Sequence, residues 1–246
     1  MAFWGDYHTH SVYSHGIGTV EENVIAARNR GLKAVAITDH GISAYPQNMH
    51  PADVDSFLSD VARARELYPD MTILAGVEAN LVSSDGELDL TPEIEERLDL
   101  VICGYHRVRL PDSLSALMGF WVPNVLPTKN SRARIVKNTD AYIRAMQRYK
   151  VSIVAHPLRE LICDLKALGQ AAAEYGVYIE INSKRCLIDR AGFETLAGTG
   201  CRFICDSDAH SPERVGDFSA AVELDKAGLD RSLIANWEAF PELRKK

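Results

Sequence analysis

At 246 residues, 46% hydrophobic and 25% charged, the chain has the composition of a single globular domain of 1–246, long enough for an α/β barrel. Its net charge of -7 argues against a general affinity for nucleic acid backbones or anionic membranes. It does not exclude a nucleotide substrate, because a bound metal can supply local positive charge. No apolar run approaches the roughly 20 residues of a membrane span, and the first residues lack the basic and apolar parts of a signal peptide. The five cysteines are odd in number and contain no CxxC, which reads as small buried residues in a reducing compartment. Together these features predict a cytoplasmic protein.

The first predicted strand, Phe3 to His10, places His8 and His10 on one face by the two-residue period, and a loop returns His15 to the same end. Three imidazoles so close together point to a metal. Thr19 and Glu22 form a capping box for a helix that stops at Gly31. Lys33 to Thr38 is the second strand and ends in Asp39-His40-Gly41; Pro51 to Leu67 is a helix. Thr72 to Val77 is the third strand and delivers Glu78. Thr91 to Leu98 is a short acidic helix with Pro92 in its first turn. Leu100 to Gly104 is the fourth strand and delivers His106.

Leu110 to Asn130 then breaks the rhythm. It is long for a loop and rich in apolar residues, which fits a lid or substrate wall, a subunit contact, or a small helix covering the barrel side. Helices follow over Ser131 to Tyr149, Leu161 to Tyr175 and Asp189 to Ala197. Between and after them come strands Val151 to Ala155, ending at His156-Pro157, Val177 to Ile181, and Arg202 to Cys205, ending at Asp208-Ala209-His210. One or two closing helices are expected beyond Pro212.

Seven strands alternating with helices imply parallel strands. His8, His10, His40, Glu78, His106, His156, Asp208 and His210 all fall at or beyond strand C-terminal ends, and they converge only if the sheet closes into a barrel. An open doubly wound sheet would bring a Gly-rich phosphate loop, and no GxGxxG or Walker A pattern is present. A lone histidine is more often a structural hydrogen-bond partner. Seven at one edge, with two carboxylates, argue against that reading. They are also too many for one ion, which suggests two or three divalent ions of zinc, manganese or iron sharing one cleft, with Glu78 able to bridge.

The runs Asp6-Tyr7-His8-Thr9-His10, Ser14-His15-Gly16 and Ile37-Thr38-Asp39-His40-Gly41 resemble the opening of the polymerase and histidinol phosphatase (PHP) family. Gly76-Val77-Glu78, His106, Ala155-His156-Pro157 and Ser207-Asp208-Ala209-His210 follow in that family's order. The resemblance implies a distorted TIM-like barrel of seven βα units and three metals. The first would be held by His8, His10, Glu78 and Asp208. The second would be held by Glu78, His106 and His156, and the third by His15, His40 and His210. Asp6 and Asp39 look like residues that orient neighbouring imidazoles, and a helix or turn cap is the other reading for Asp39.

Such a cluster suits hydrolysis of a small-molecule phosphomonoester by a metal-bound hydroxide at a trinuclear site, with Glu78, Asp208 and His210 as the catalytic carboxylates and imidazole. Arg107, Lys184 and Arg185 are candidates for phosphate binding, and Arg159 is a further one. Asn182 is expected to line the pocket. Glu180 could face the barrel interior, but no tenth ligand is needed. The resemblance also allows two other readings. One is a phosphodiesterase or exonuclease, which the acidic balance disfavours; the other is a non-catalytic metal-binding regulatory module. No membrane partner is expected, and oligomerisation stays open.

Overall fold

A computed structural model describes residues 2–43, 45–108, 111, 113–126 and 131–244. Among these, seven strands pair in sequence order, all parallel: β1 (Gly5–Asp6), β2 (Ala34–Ile37), β3 (Thr72–Asn80), β4 (Leu100–Gly104), β5 (Val151–Val154), β6 (Tyr178–Asn182) and β7 (Phe203–Asp206). The connections carry helices α1 (Val20–Asn29), α2 (Val54–Leu67) and α3 (Pro92–Glu95). Then come the short α4 (Leu114–Ala116) and α5 (Val122–Val125), separated by a π-helical turn over Leu117–Trp121. α6 (Arg132–Arg148), α7 (Leu165–Tyr175), α8 (Arg190–Ala197) and α9 (Ala221–Lys226) complete the set. The result is the expected distorted (β/α)7 barrel.

Two apolar layers hold it. Inside the barrel, Ala34, Ala36, Leu100, Ile102, Ile153, Tyr178 and Ile204 pack around Tyr7. Outside, the opposite faces of the strands meet the helices through residues such as Val24, Phe57, Val61, Met146 and Phe193. Helix starts follow their caps. Thr19 and Glu22 form the capping box of α1, and Ser131 and Asp189 cap α6 and α8. α7 begins at Leu165 rather than Leu161, because the Asp164 carboxylate accepts from the Lys166 and Ala167 amides and fixes the start there. Leu161 is buried in the loop before it.

β1 is far shorter than the sequence suggests. Beyond Asp6, carboxylates take over from ladder partners: the Tyr7 amide donates to Asp206 Oδ1 at 2.8 Å, and Asp6 Oδ1 accepts from the Ser207 amide at 3.2 Å. Closure of the barrel is therefore made in two ways. Above, Thr9 bridges Ala209 in parallel. Below, the C-terminal segment enters the seam: Ile234 bridges Phe203, and the Trp4 amide donates to the Asn236 carbonyl. The fully buried Asn236 side chain donates to the Gly5 and Cys205 carbonyls and accepts from the Cys205 amide, tying β1 to β7.

Of the apolar 110–130 segment, Leu110, Asp112 and residues 127–130 lie outside the described residues. The rest leans on α6. Phe120 is buried against Tyr105, Asn124 exchanges side-chain hydrogen bonds with Asn138, and Lys137 donates to the Gly119 carbonyl. Leu114 and Met118 remain exposed. All five cysteines are free thiols, and among the described residues no helix is long and apolar enough to cross a membrane.

Candidate metal centre

Strand parity builds the site. Along β3 one face reads Leu74, Gly76, Glu78, Asn80, and along β6 it reads Tyr178, Glu180, Asn182. The same inward face that is apolar at the barrel bottom turns polar at the C-terminal ends.

Glu78, 1% exposed, is the centre of the cluster. Its Oε2 lies 2.9 Å from His40 Nδ1, 3.3 Å from His8 Nε2 and 3.6 Å from His10 Nε2. Its Oε1 faces the other way, 2.8 Å from His156 Nε2 and 3.5 Å from His106 Nε2. The close approach needs Gly104, where a Cβ would sit 2.6 Å from Glu78 Oε1. Asp208 Oδ1 lies 3.3 Å from His210 Nδ1, 3.4 Å from His10 Nε2 and 4.0 Å from His8 Nε2.

All nine sequence-predicted ligands thus gather at one barrel end, in the described structure. Their grouping differs from the expected partition in two respects, with His40 rather than His156 joining Glu78 and His106, and His10 replacing His15 beside His40 and His210. The compact trios are His8, His10 and Glu78; His40, Glu78 and His106; and His10, His40 and His210. His10, rather than His15, sits closest to His40 and His210. His15 is exposed, its ring stacked on His40 at 4.7 Å and 4.3 Å from His210.

The donor set fits divalent metal. His8 Nε2, both ring nitrogens of His10 and Glu78 Oε2 are buried without a directed hydrogen bond. Orphaned polar atoms of this kind cost about 1–3 kcal/mol each. Imidazole nitrogens and carboxylate oxygens are the ligands of zinc, manganese and iron. Electrostatics divide these groups. Burial would lower His8 and His156, but Glu180 and Glu78 beside His8 and Glu78 beside His156 outweigh it and raise both, whereas the two carboxylates and the other shifted imidazoles are held in ligating form. Burial would raise the Glu78 carboxyl, but His106, His8 and His40 outweigh it and hold its pKa well below the usual range. Asp208 is likewise held low, burial being overcome by His8 and His10. Burial pushes His10 and His106 well below the ordinary histidine value, and His210 down to about 4.

Neighbouring side chains orient the ligands. The His106 ring Nδ1 lies 3.1 Å from Asn80 Oδ1, which also accepts from the His106 amide at 2.7 Å. The Asn80 amide in turn donates to Asp89. Asp39 accepts from the Ser11 amide and from the Ser11 and Ser14 hydroxyls, bracing the loop that leads to His15. Asp6 takes the Ser207 hydroxyl and the Gly216 amide, bracing the loop that carries Asp208. His156 and Asp208 both adopt positive φ, 29° and 49°, in the left-handed region that non-glycine residues seldom occupy.

A cavity of about 180 Å³ opens over the cluster, walled by His15, His40, His106, His210, Gln47 and Glu160 among others. Two cations reach it: Lys184 Nζ lies 3.5 Å from Asp208 Oδ1, and Arg159 Nη1 lies 3.4 Å from Asp208 Oδ2. Arg107 and Arg185, named from sequence, do not line it. The Arg107 guanidinium donates to the Glu160 carbonyl, and its amide donates to the Glu160 carboxylate, which turns the side chain away. Arg185 is exposed and meets Asn182 only through its backbone amide. Sequence reasoning missed Asn80, yet its place two residues after Glu78 puts it on the same strand face and signals the role. Gln47 and Asn48 left no such signal, because they sit on an irregular loop. A larger hollow of about 750 Å³ lies at the other barrel end, between Leu74, Leu98 and the Phe240–Arg244 stretch, remote from the metal-ligating residues.

A PHP domain model matches residues 6–184. A protein of Thermoanaerobacter sp. (strain X514) named "Probable phosphatase" is 31% identical over 242 residues, spanning 94% of this chain and 89% of its own length. A "Probable phosphatase" of Shewanella sp. (strain W3-18-1) is 29% identical over 249 residues, spanning 96% and 88%. In fold, the chain is similar to a histidinol phosphate phosphatase from Lactococcus lactis, solved with zinc, L-histidinol and phosphate. That similarity has a TM-score of 0.63 at 18% identity and covers 92% of this chain and 94% of that one. The match over residues 6–184, with a relative at 31% identity across nearly the whole chain, shows that the protein belongs to the PHP domain family.

Proposed function

We propose that the protein hydrolyses a small phosphomonoester at this centre, with two or three divalent ions bound. The observation that carries the reading is the pairing of a nine-residue ligand cluster with two cavity-facing cations, Arg159 and Lys184, on Asp208. Relatives named phosphatases support it. Zinc, L-histidinol and phosphate in the Lactococcus lactis structure support zinc as one candidate ion and histidinol phosphate, whose hydrolysis releases that pair, as one candidate substrate. Sugar and nucleotide monophosphates are the others.

His8, His10, Glu78 and Asp208 would hold one ion, and Glu78, His106 and His156 a second. His40 and His210 would hold a third, with His15 and His10 beside them. When bound, such ions acidify water and offset the charge of the phosphoryl oxygens. Arg159 and Lys184 bind the phosphoryl group; arginine suits a bidentate contact and lysine a point charge. His210, on the cavity wall beside Lys184 and held neutral by burial, handles the protons, with the Asp208 carboxylate beside it. The cavity is small, which suits a terminal phosphate whose leaving group projects outward past Val108, Gln47 and Glu160.

The test is phosphate release by metal-loaded protein from a panel of monoesters that includes L-histidinol phosphate, alongside a phosphodiester and a chelated control. Chelator-sensitive release from monoesters is expected. Cleavage of the diester alone would move the activity to a phosphodiesterase. Silence across the panel with ions still bound would leave a binding module.

A further inference from the structure

Every strand from β3 onward except β6 delivers a ligand candidate at or just past its C-terminal end; β6 delivers Glu180 and Asn182 instead. Glu180 is 1% exposed and lies under the cluster. Its Oε1 is 2.6 Å from His8 Nδ1. Its Oε2 accepts from the His156 amide at 2.6 Å and from Asn182 Nδ2 at 3.0 Å. Asn182 Nδ2 is also 3.2 Å from Asp208 Oδ2. One carboxylate therefore touches ligand-bearing residues of β1 and β5 directly and of β7 through one amide. Two of these, His156 and Asp208, are the positions held at positive φ.

From this geometry we infer that Glu180 is a positioning residue that selects the ligating form of His8 and fixes the His156 and Asp208 turns against it. The inference rests on the metal-centre reading above. With Nδ1–H donated to Glu180, the His8 Nε2 lone pair is left pointing toward Glu78 Oε2, 3.3 Å away, where the two residues would hold an ion. Only a carboxylate meets all the demands at this position. Three hydrogens converge on two oxygens, and both oxygens must accept. Glutamine has nearly the same shape but carries one acceptor and one donor. If its oxygen faces His8, its amide hydrogens oppose the His156 N–H and the Asn182 amide. If its oxygen faces His156 and Asn182, its amide donates to His8 Nδ1 and moves the histidine proton to Nε2, against the ion.

Residues that support a metal ligand in this way change metal affinity by roughly 10–100-fold when altered. The decisive experiment is calorimetric titration of the metal-free full chain with zinc chloride, for the unaltered protein and Glu180→Gln. Long-range ¹H–¹⁵N spectra of the zinc-loaded forms accompany it. The expected result is a loss of roughly 10–100-fold at one ion in Glu180→Gln, with the circular dichroism of the metal-free chain retained. The spectra of the unaltered protein should carry the His8 proton on Nδ1. Wild-type zinc affinity and stoichiometry in Glu180→Gln would overturn the role. So would a zinc-loaded wild type whose His8 proton sits on Nε2, a measurement that stands even if the variant fails to fold. Failure of the unaltered protein to bind zinc would overturn the role together with the metal centre. Absence of phosphate release would sink the phosphatase reading alone, since the titration does not depend on turnover.

Discussion

At the scale of single residues, position in the chain and direction of the side chain are separate pieces of information. The ligand candidates were legible because each sits at or just past a strand end, where direction follows from the barrel. His10→Ala and Asp208→Ala are expected to lower kcat/KM by at least about 100-fold with circular dichroism unchanged, since each removes a cluster member and leaves the helices untouched. Near-normal rates in both would remove the site. Arg107 shows the opposite situation. Its place beside His106 promised a phosphate contact, yet Glu160 claims both its amide and its guanidinium. Arg159, one turn further along another loop, reaches the cavity. Charged hydrogen bonds are worth about 1.5–3 kcal/mol, so Arg159→Ala should reduce kcat/KM by roughly 10–100-fold, mostly through KM. Arg107→Ala should change it by less than about threefold. Steady-state kinetics on the preferred monoester decide between the two arginines, and the reverse ranking would reassign the phosphate contact.

At the scale of elements, the helices capped by Thr19, Ser131 and Asp189 were legible to within a residue or two, whereas α7, capped by Asp164, starts four residues later than its apolar pattern suggests. Thr19, Ser131 and Asp189 each mark a start by satisfying backbone amides that the helix leaves open. The strand at β1 was legible but its short length was not, because its partners beyond Asp6 are side chains 199 and 201 positions away in sequence. No local pattern encodes such a pairing. The seam that results depends on Asn236, whose three hydrogen bonds to Gly5 and Cys205 are all buried. Asn236→Ala leaves those groups unpaired and should cost about 2–4 kcal/mol, read as a shift in the urea midpoint. A change below 0.5 kcal/mol would mean that Thr9 and Ala209 close the barrel unaided.

For the whole molecule, the acidic charge and the converging imidazoles describe a scaffold that gathers repulsive and orphaned groups at one end. Ion binding to that end should stabilise the folded chain in proportion to occupancy. At free zinc about 100 times the dissociation constant the gain is about 2.7 kcal/mol, visible as a rise of several degrees in the melting temperature. An unchanged melting temperature at saturating zinc would contradict the centre. The closed barrel was legible because strand ends carrying ligands can converge in no other arrangement. Its closure by the C-terminal segment was not, since Ile234 to Trp237 carry no strand or helix signal of their own.

That closure sets an order of events during synthesis. Gly5 waits for Asn236, 231 residues later, before its carbonyl is paired, and Tyr7 waits for Asp206. Most of the candidate ligand loops precede both partners, so the strand leading to His8 and His10 is tied to β7 on its lower side only once Asn236 is in place. A chain halted before residue 236 would keep the Thr9–Ala209 bridge above and lose the buried Asn236 tie below. Tight metal binding should therefore need the segment around Asn236, and a chain cut short of it should hold zinc more weakly than the full chain.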